Sequence, residues 1–369
     1  MGKTTEISWT DSTWSPIRAR VKMDAPSIAK VKGYSSLVEI AMKMRGRVGQ
    51  HCEHVSPGCK HCYAETNNHR CLPANGTGLP YDRRSRDLVE AFVDEKVLMQ
   101  PLKWRPIKEQ TAAEEVVGSY HLRPRRIFVE NQSDLFGEWI SDAMRDRVCA
   151  VGILSGHILQ FLTKRAENMR RYFSNPETGN RIQDQVAELT EDYAFAWPYP
   201  NFWLGVSVEN QTAADARIPI LISTPAAVRF ISAEPLLEAV SVAGYFRPMF
   251  PGDAPQWKRG SGLDWVICGG ESGSKARPMS SSWADDVRQQ CETAGAAFFH
   301  KQNGEFVDAG HEEFGQLPTA KYVYINSAGI PWGDNVPLDE NSDVLTMKRV
   351  GRNRAGDTLF GKQYHQFPK

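Results

Sequence analysis

The chain has 369 residues, enough for one large α/β domain or two medium ones. Its 41% hydrophobic and 24% charged residues are ordinary for a soluble globular protein, and no run approaches the ~20 apolar residues of a spanning helix. Lys plus Arg and Asp plus Glu number 44 each, so a global basic signature for nucleic acid is excluded and any such binding must use a local patch.

The opening stretch MGKTTEISWTDSTW carries no apolar signal segment, which points to a cytoplasmic protein. Within it, residues 5–14 alternate apolar and polar side chains and predict a first strand. Residues 17–50 follow with eight cations, from Arg18 and Arg20 to Lys43, Arg45 and Arg47, against Asp24 and Glu39, a local charge of +6. They read as a basic insertion with a short helix near 36–44. It serves either as a solvated surface lobe or as a salt-dependent track for phosphates.

Cys52, Cys59 and Cys62 then fall within eleven residues at spacing C-x6-C-x2-C, with Pro57-Gly58 bending the backbone between the first two. Such a turn brings three sulfurs within reach of one metal centre. Three thiolates around iron leave a corner open for chemistry, whereas closed structural sites use four ligands. The remaining cysteines, Cys71, Cys149, Cys268 and Cys291, are scattered and read as small buried hydrophobes or inert thiols. An odd cysteine count with three clustered fits a reducing compartment with a metal site, not a disulfide framework.

Beyond residue 120, short apolar runs alternate with helical stretches. Strands are predicted at 126–130, 157–162, 202–208, 228–233, 265–268 and 297–301, and helices at 138–155, 166–173, 211–223 and 282–294. With the first strand this makes seven, and the β-α rhythm predicts a parallel sheet curled into a whole or partial barrel. Polar residues crowd the strand ends: Asn131, Ser133 and Asp134; Lys164 and Arg165; Glu209; Glu234; and Glu271 within a glycine-rich turn. In a β/α barrel that rim is where ligands sit, and several of these residues are expected to line one pocket. Residues 241–262 read as a loop or flap. Residues 305–369, with a short strand near 322–325, read as a small C-terminal lobe beside a barrel of residues 1–304.

These blocks carry a family resemblance. ISWTDSTWSPIRAR (7–20), HVSPGCKHCYAE (54–65), FVENQSDLFGEW (128–139), FLTKRAENM (161–169), WLGVSVENQ (203–211), RFISAEPLL (229–237), DWVICGGESG (264–273), ARPM (276–279) and FFHKQNG (298–304) stand in the order of a phage-associated three-cysteine family that resembles radical S-adenosylmethionine enzymes. The resemblance implies a partial (β/α) barrel of the radical S-adenosylmethionine type holding a [4Fe–4S] cluster. Cys52, Cys59 and Cys62 would bind three irons and the amino and carboxylate groups of S-adenosylmethionine the fourth. An electron from an external one-electron donor then cleaves a C–S bond, and the 5′-deoxyadenosyl radical removes hydrogen from an unactivated carbon. The gap between the first two cysteines is six residues, where the commonest spacing in that superfamily has three. His61 stands where the superfamily usually carries an aromatic residue beside the adenine.

By the same resemblance, Asn131, Ser133 and Asp134 are candidates for the cofactor's amino group, and Ser207 and Glu209 for its carboxylate or ribose. Glu234, Glu271 and Lys164 are candidates for catalysis or for holding substrate. Each of these positions also fits a rim salt bridge. The first expectation for the substrate is a DNA base or hypermodified nucleotide, unstacked to meet the radical, in a host cytoplasm if the chain is phage-encoded; a peptide, a tRNA and a small metabolite are the alternatives. Two other readings stand beside this one. The first is a zinc protein with a closed Cys3His site drawing on His51, His54, His61 or His69, which fixes a nucleic-acid-binding or scaffold surface without catalysis. The second is a polynucleotide-binding accessory protein that keeps the barrel and has lost activity.

Overall fold

In a computed structural model the described residues are 5–22, 24, 35–70, 76–110, 118–191, 193–246, 262–309, 321–326, 329, 331 and 344–368. Cys71, Lys30, Lys32 and most of the expected flap at 241–262 lie outside them.

Strand β1 is Ser12–Trp14, much shorter than the alternation over 5–14 predicts. The chain before it turns instead, with Thr10 N–H donating to the Ile7 carbonyl. β2 (Ile17–Val21) follows, then helix α1 (Ser35–Lys43) and β3 (Val48–Gly49). After the cysteine loop come α2 (Tyr63–His69) and β4 (Val89–Val93), then a hairpin of β5 (Ile107–Glu109) and β6 (His121–Arg123). β2, β3 and β4 form a small antiparallel sheet that the sequence reading did not separate from the insertion. Ala19, Val21, Leu88 and Val89 close a core with Leu37 and Ala41 of α1, so the basic segment belongs to a lobe with its own apolar interior.

The β/α succession then runs as predicted: β7 (Arg126–Val129), α3 (Asp142–Ser155), β8 (Ile158–Thr163), α4 (Ala166–Ser174), α5 (Glu177–Ala187), β9 (Phe202–Ser207), α6 (Gln211–Ser223), β10 (Val228–Ala233), β11 (Trp265–Gly269), α7 (Ser281–Ala294) and β12 (Ala297–Gln302). α5 was not foreseen. Helix α3 starts at the Ser141 cap, whose hydroxyl accepts from Met144 N–H, so residues 138–141 lie outside it. α3 and α7 both end on a glycine in the left-handed region, Gly156 at φ 66° and Gly295 at φ 67°. Seven strands form one sheet in the order β1-β7-β8-β9-β10-β11-β12, parallel across β1-β7-β8 and β10-β11-β12. This mixed α/β architecture, with helices in the crossovers, is compatible with a partial β/α barrel. No described helix is long and apolar enough to cross a membrane.

The chain divides into two compact units, residues 1–204 with 224–227, and residues 205–223 with 228–369. In the first, Phe136, Phe161, Phe173 and Phe202 pack edge to face and tilted between sheet and helices. In the second, Phe230, Trp265 and Phe299 form an aromatic row along β10, β11 and β12. This unit also holds a sheet of β13 (Phe306–Asp308), β14 (Lys321–Ile325) and β15 (Leu345–Arg349), in the order β13-β15-β14. The chain end runs along the outer edge of β12: His300 N–H donates to Tyr364 O at 2.7 Å and Gln366 N–H to Phe298 O at 3.1 Å. That pairing covers backbone groups an edge strand otherwise exposes.

Candidate metal and cofactor site

Pro57-Gly58-Cys59 forms a single 3₁₀ turn, and Cys62 is the residue from which α2 starts. Proline at the first position of the turn and the reversal that follows bring Cys59 back toward Cys62, whose N–H donates to the Cys59 carbonyl at 3.2 Å. Burial pushes the Cys62 thiol up, and the nearby amides of Glu65 and Ala64 at the helix start oppose that without a hydrogen bond to the sulfur. Burial likewise raises Cys52, and the Asp134 carboxylate adds to that, while the Arg165 guanidinium opposes it. The Cys62 and Cys59 sulfurs add smaller upward contributions to Cys52.

The Cys52 arm is clamped on both sides. Ser133 Oγ donates to His51 O at 2.6 Å, His54 N–H donates to Tyr81 O at 3.0 Å, and Arg165 Nη2 reaches Glu53 O at 3.4 Å. The Glu53 carboxylate takes two bonds from Arg86, at 2.5 and 2.6 Å. Burial alone would raise Glu53; the neighbouring His51 ring and the two hydrogen bonds from Arg86 outweigh it and bring the carboxyl to about 2. His51 is buried, and its Nε2 stands 3.5 Å from Glu53 Oε1 without hydrogen-bond alignment.

Arg165 is the hub of this cluster. It donates through Nε to Glu138 at 3.0 Å and through Nη1 to Asp134 at 3.1 Å, and its guanidinium lies 4.7 Å from the Trp139 ring centre. Asp134 also accepts from Thr163 Oγ1 at 2.7 Å and from the amides of Phe136 and Lys164. Its oxygens are thus occupied by the chain itself. Lys164, the neighbour of Arg165, lies close enough to Cys62 to favour that thiolate.

Asn131 accepts from Ser15 Oγ at 3.1 Å through Oδ1, and its carbonyl accepts from the Tyr63 hydroxyl, which ties the end of β7 to the first residue of α2. His61 is half-buried in the loop. Glu130, just before Asn131, stands in sequence as the last residue of the strand predicted at 126–130. It adopts φ 56°, uncommon for a residue with a side chain, and so ends β7. Its carboxyl is buried: Oε1 accepts from Ile17 N–H at 2.8 Å, and Oε2 finds no hydrogen-bond donor among the described residues. Burial pushes the group up to about 8.

The other candidates lie in the second unit. Glu209 is buried and paired with Arg217, whose Nη1 stands 2.9 Å from its Oε2 and 2.7 Å from the Ser207 carbonyl. Glu271 takes the backbone N–H of Arg277 at 2.8 Å and its guanidinium at 2.8 and 2.6 Å, closing the glycine-rich turn on itself. Glu234 at the end of β10 receives the Lys301 ammonium at 2.5 Å. In sequence Lys301 stands as the last residue of the strand predicted at 297–301. Its alternation with Phe299 puts both on one face of β12, a signal the sequence does contain.

Among the described residues, no group of three or more His, Cys, Asp or Glu side chains is arranged to hold a metal ion. Two of the three sulfurs have a local neighbour: Cys52 the Glu53 carbonyl at 3.9 Å and Cys59 the Ser56 hydroxyl at 3.9 Å. The donor set itself, three thiols on one loop beside two cations, fits a soft metal or an iron–sulfur group. No curated protein and no solved structure matches the chain. A family match does extend over residues 47–368, well over half of the chain, from the cysteine loop through both units. The chain belongs to the family described as protein of unknown function (DUF5131).

Proposed function

We propose that the chain is a radical S-adenosylmethionine enzyme that acts on a nucleic-acid base. One observation carries the reading: three half-buried thiols sit on one loop, and Arg165, just past β8, reaches the Glu53 carbonyl beside Cys52 at 3.4 Å. An iron–sulfur cluster on three thiolates is anionic, and fixed cations beside the sulfurs favour that charge. Cys52, Cys59 and Cys62 would hold the cluster and leave one iron for S-adenosylmethionine. When bound, the pair supplies a one-electron route to hydrogen abstraction from carbon.

The chain's own residues supply position. Arg165, Ser133 and Arg86 hold the flanks of Cys52, and the Tyr63 hydroxyl joins the Cys62 side to Asn131. In the second unit, the Glu234–Lys301 pair sets an acceptor beside a donor at the strand ends, a combination that suits the polar edge of a base. The test reconstitutes the cluster anaerobically, adds dithionite and S-adenosylmethionine, and assays 5′-deoxyadenosine. The wild type forms it and a Cys52/Cys59/Cys62→Ala variant does not; absence from a fully reconstituted wild type ends the reading.

A second reading, a Cys3His zinc site, is favoured by His51 Nε2, which is buried beside Cys52 without a hydrogen bond. Metal analysis of protein purified without added iron separates the two.

A further inference from the structure

The β2-β3-β4 sheet has two unlike faces. One is filled by Ala19, Val21 and Val89 against Leu37 and Ala41 of α1. On the other, Arg18 and Arg20 alternate along β2, with Phe92 directly opposite Arg18 and Glu90 opposite Arg20. Lys22 follows just past the strand end. The Arg20 guanidinium lies over the Phe92 ring, 4.6 Å from its centre. Glu90 stands 4.0 Å from Arg20, with the two side chains 59% and 50% exposed, so solvent screens most of that attraction.

We propose that this face binds a single strand of nucleic acid, with phosphates on Arg20 and Lys22 and a base against Phe92. The proposal rests on the nucleic-acid substrate proposed above and assigns it a docking surface. Alternate residues of a strand repeat every ~6.7 Å on one face, which sets cations in a row suited to successive phosphates. The net charge of the whole chain is zero, so attraction for a polyanion must arise from such a local row. The half-buried Phe92 ring and the Arg20 guanidinium over it form an aromatic–cation pair against which an unpaired base can stack and a base inside a duplex cannot. The apolar core behind the sheet holds the row in place before the strand arrives, so little ordering is needed on binding.

The test is fluorescence anisotropy with a labelled DNA strand, an RNA strand of equal sequence and the DNA duplex, over a range of salt. Wild type binds a single strand, DNA or RNA, more tightly than the duplex, with log affinity falling linearly in log salt. R20Q/K22Q weakens binding ~10-fold or more and lowers the salt slope by roughly 1.4, about 0.7 for each lost phosphate contact. F92L weakens binding and leaves the slope unchanged. R170Q/R171Q, an exposed pair on α4, changes neither. Thermal melts confirm that each variant is folded.

Four results overturn the proposal: no binding of either strand, tighter binding of the duplex, wild-type affinity in R20Q/K22Q, or equal displacement by poly-glutamate. The Cys52/Cys59/Cys62→Ala variant keeps the two claims apart. Strand binding that survives in it, with no 5′-deoxyadenosine from the wild type, defeats the radical reading alone. Cofactor cleavage without strand binding defeats the docking surface alone.

Discussion

Replacing Glu130 with Gln should change how stability depends on pH, and in a direction opposite to the usual salt-bridged carboxylate. The carboxyl ionises near 4.5 in the unfolded chain, and burial moves it up to about 8 in the folded one. Between those values the folded chain holds one proton more than the unfolded chain, so stability is fully present below 4.5 and falls as pH rises toward 8. At about 1.4 kcal/mol for each pH unit, that interval amounts to at most about 5 kcal/mol. Gln keeps the acceptor for Ile17 N–H but puts an amide donor where Oε2 finds none of its own, at a cost of about 1–3 kcal/mol. E130Q should therefore be less stable than wild type near pH 4.5 and more stable, by about 2–4 kcal/mol, near pH 8.5. Urea unfolding of both proteins across that range reads the difference, and groups common to both cancel. Parallel curves with no crossing would refute the buried-carboxyl argument.

Three further outcomes follow from the packing. Arg165→Met leaves the buried Asp134 without its cation and should lower stability by about 3–5 kcal/mol in chemical denaturation, with Arg165→Lys losing less; a change under about 1 kcal/mol contradicts the hub. Gly205→Ala places a methyl 2.4 Å from Phe230 Cζ and should lose about 1–3 kcal/mol, recovered in part when Phe230→Leu is added; an additive double mutant would deny the contact. Native alkylation followed by mass spectrometry should spare Cys149, Cys268 and Cys291, each fully buried, and label Cys59 and Cys62 first; early labelling of Cys268 would be inconsistent with β11 as the interior of its unit.

Much of the sheet could be read from the chain because buried parallel strands are short apolar runs: RIFV, ILQFLT, FWLGVS, VRFISA, WVICG and AFFHKQ all became strands within a residue or two. The first strand could not, since the alternation in 5–14 is equally satisfied by a turn that buries Trp9 and Trp14. The basic insertion looked like a solvated lobe because its apolar residues, Ala19, Val21, Leu37 and Ala41, are few and find partners at Leu79, Leu88 and Val89, far along the chain. At the candidate site, the cysteine spacing located the loop, but nothing local reveals that Arg165 joins Asp134, Glu138 and the Glu53 carbonyl. The arginine partners of Glu209 and Glu271 lie eight and six residues downstream, a separation that only the fold turns into ion pairs. Glu130 escaped because a backbone reversal at a non-glycine residue leaves no mark in the sequence.

The most direct measurement counts iron and acid-labile sulfide per chain in anaerobically purified protein and follows its electron paramagnetic resonance as S-adenosylmethionine is added. The account predicts about four irons and four sulfides per chain and a reduced-cluster signal that changes on cofactor addition. One zinc per chain with no sulfide, or a cluster whose signal ignores the cofactor, would contradict it.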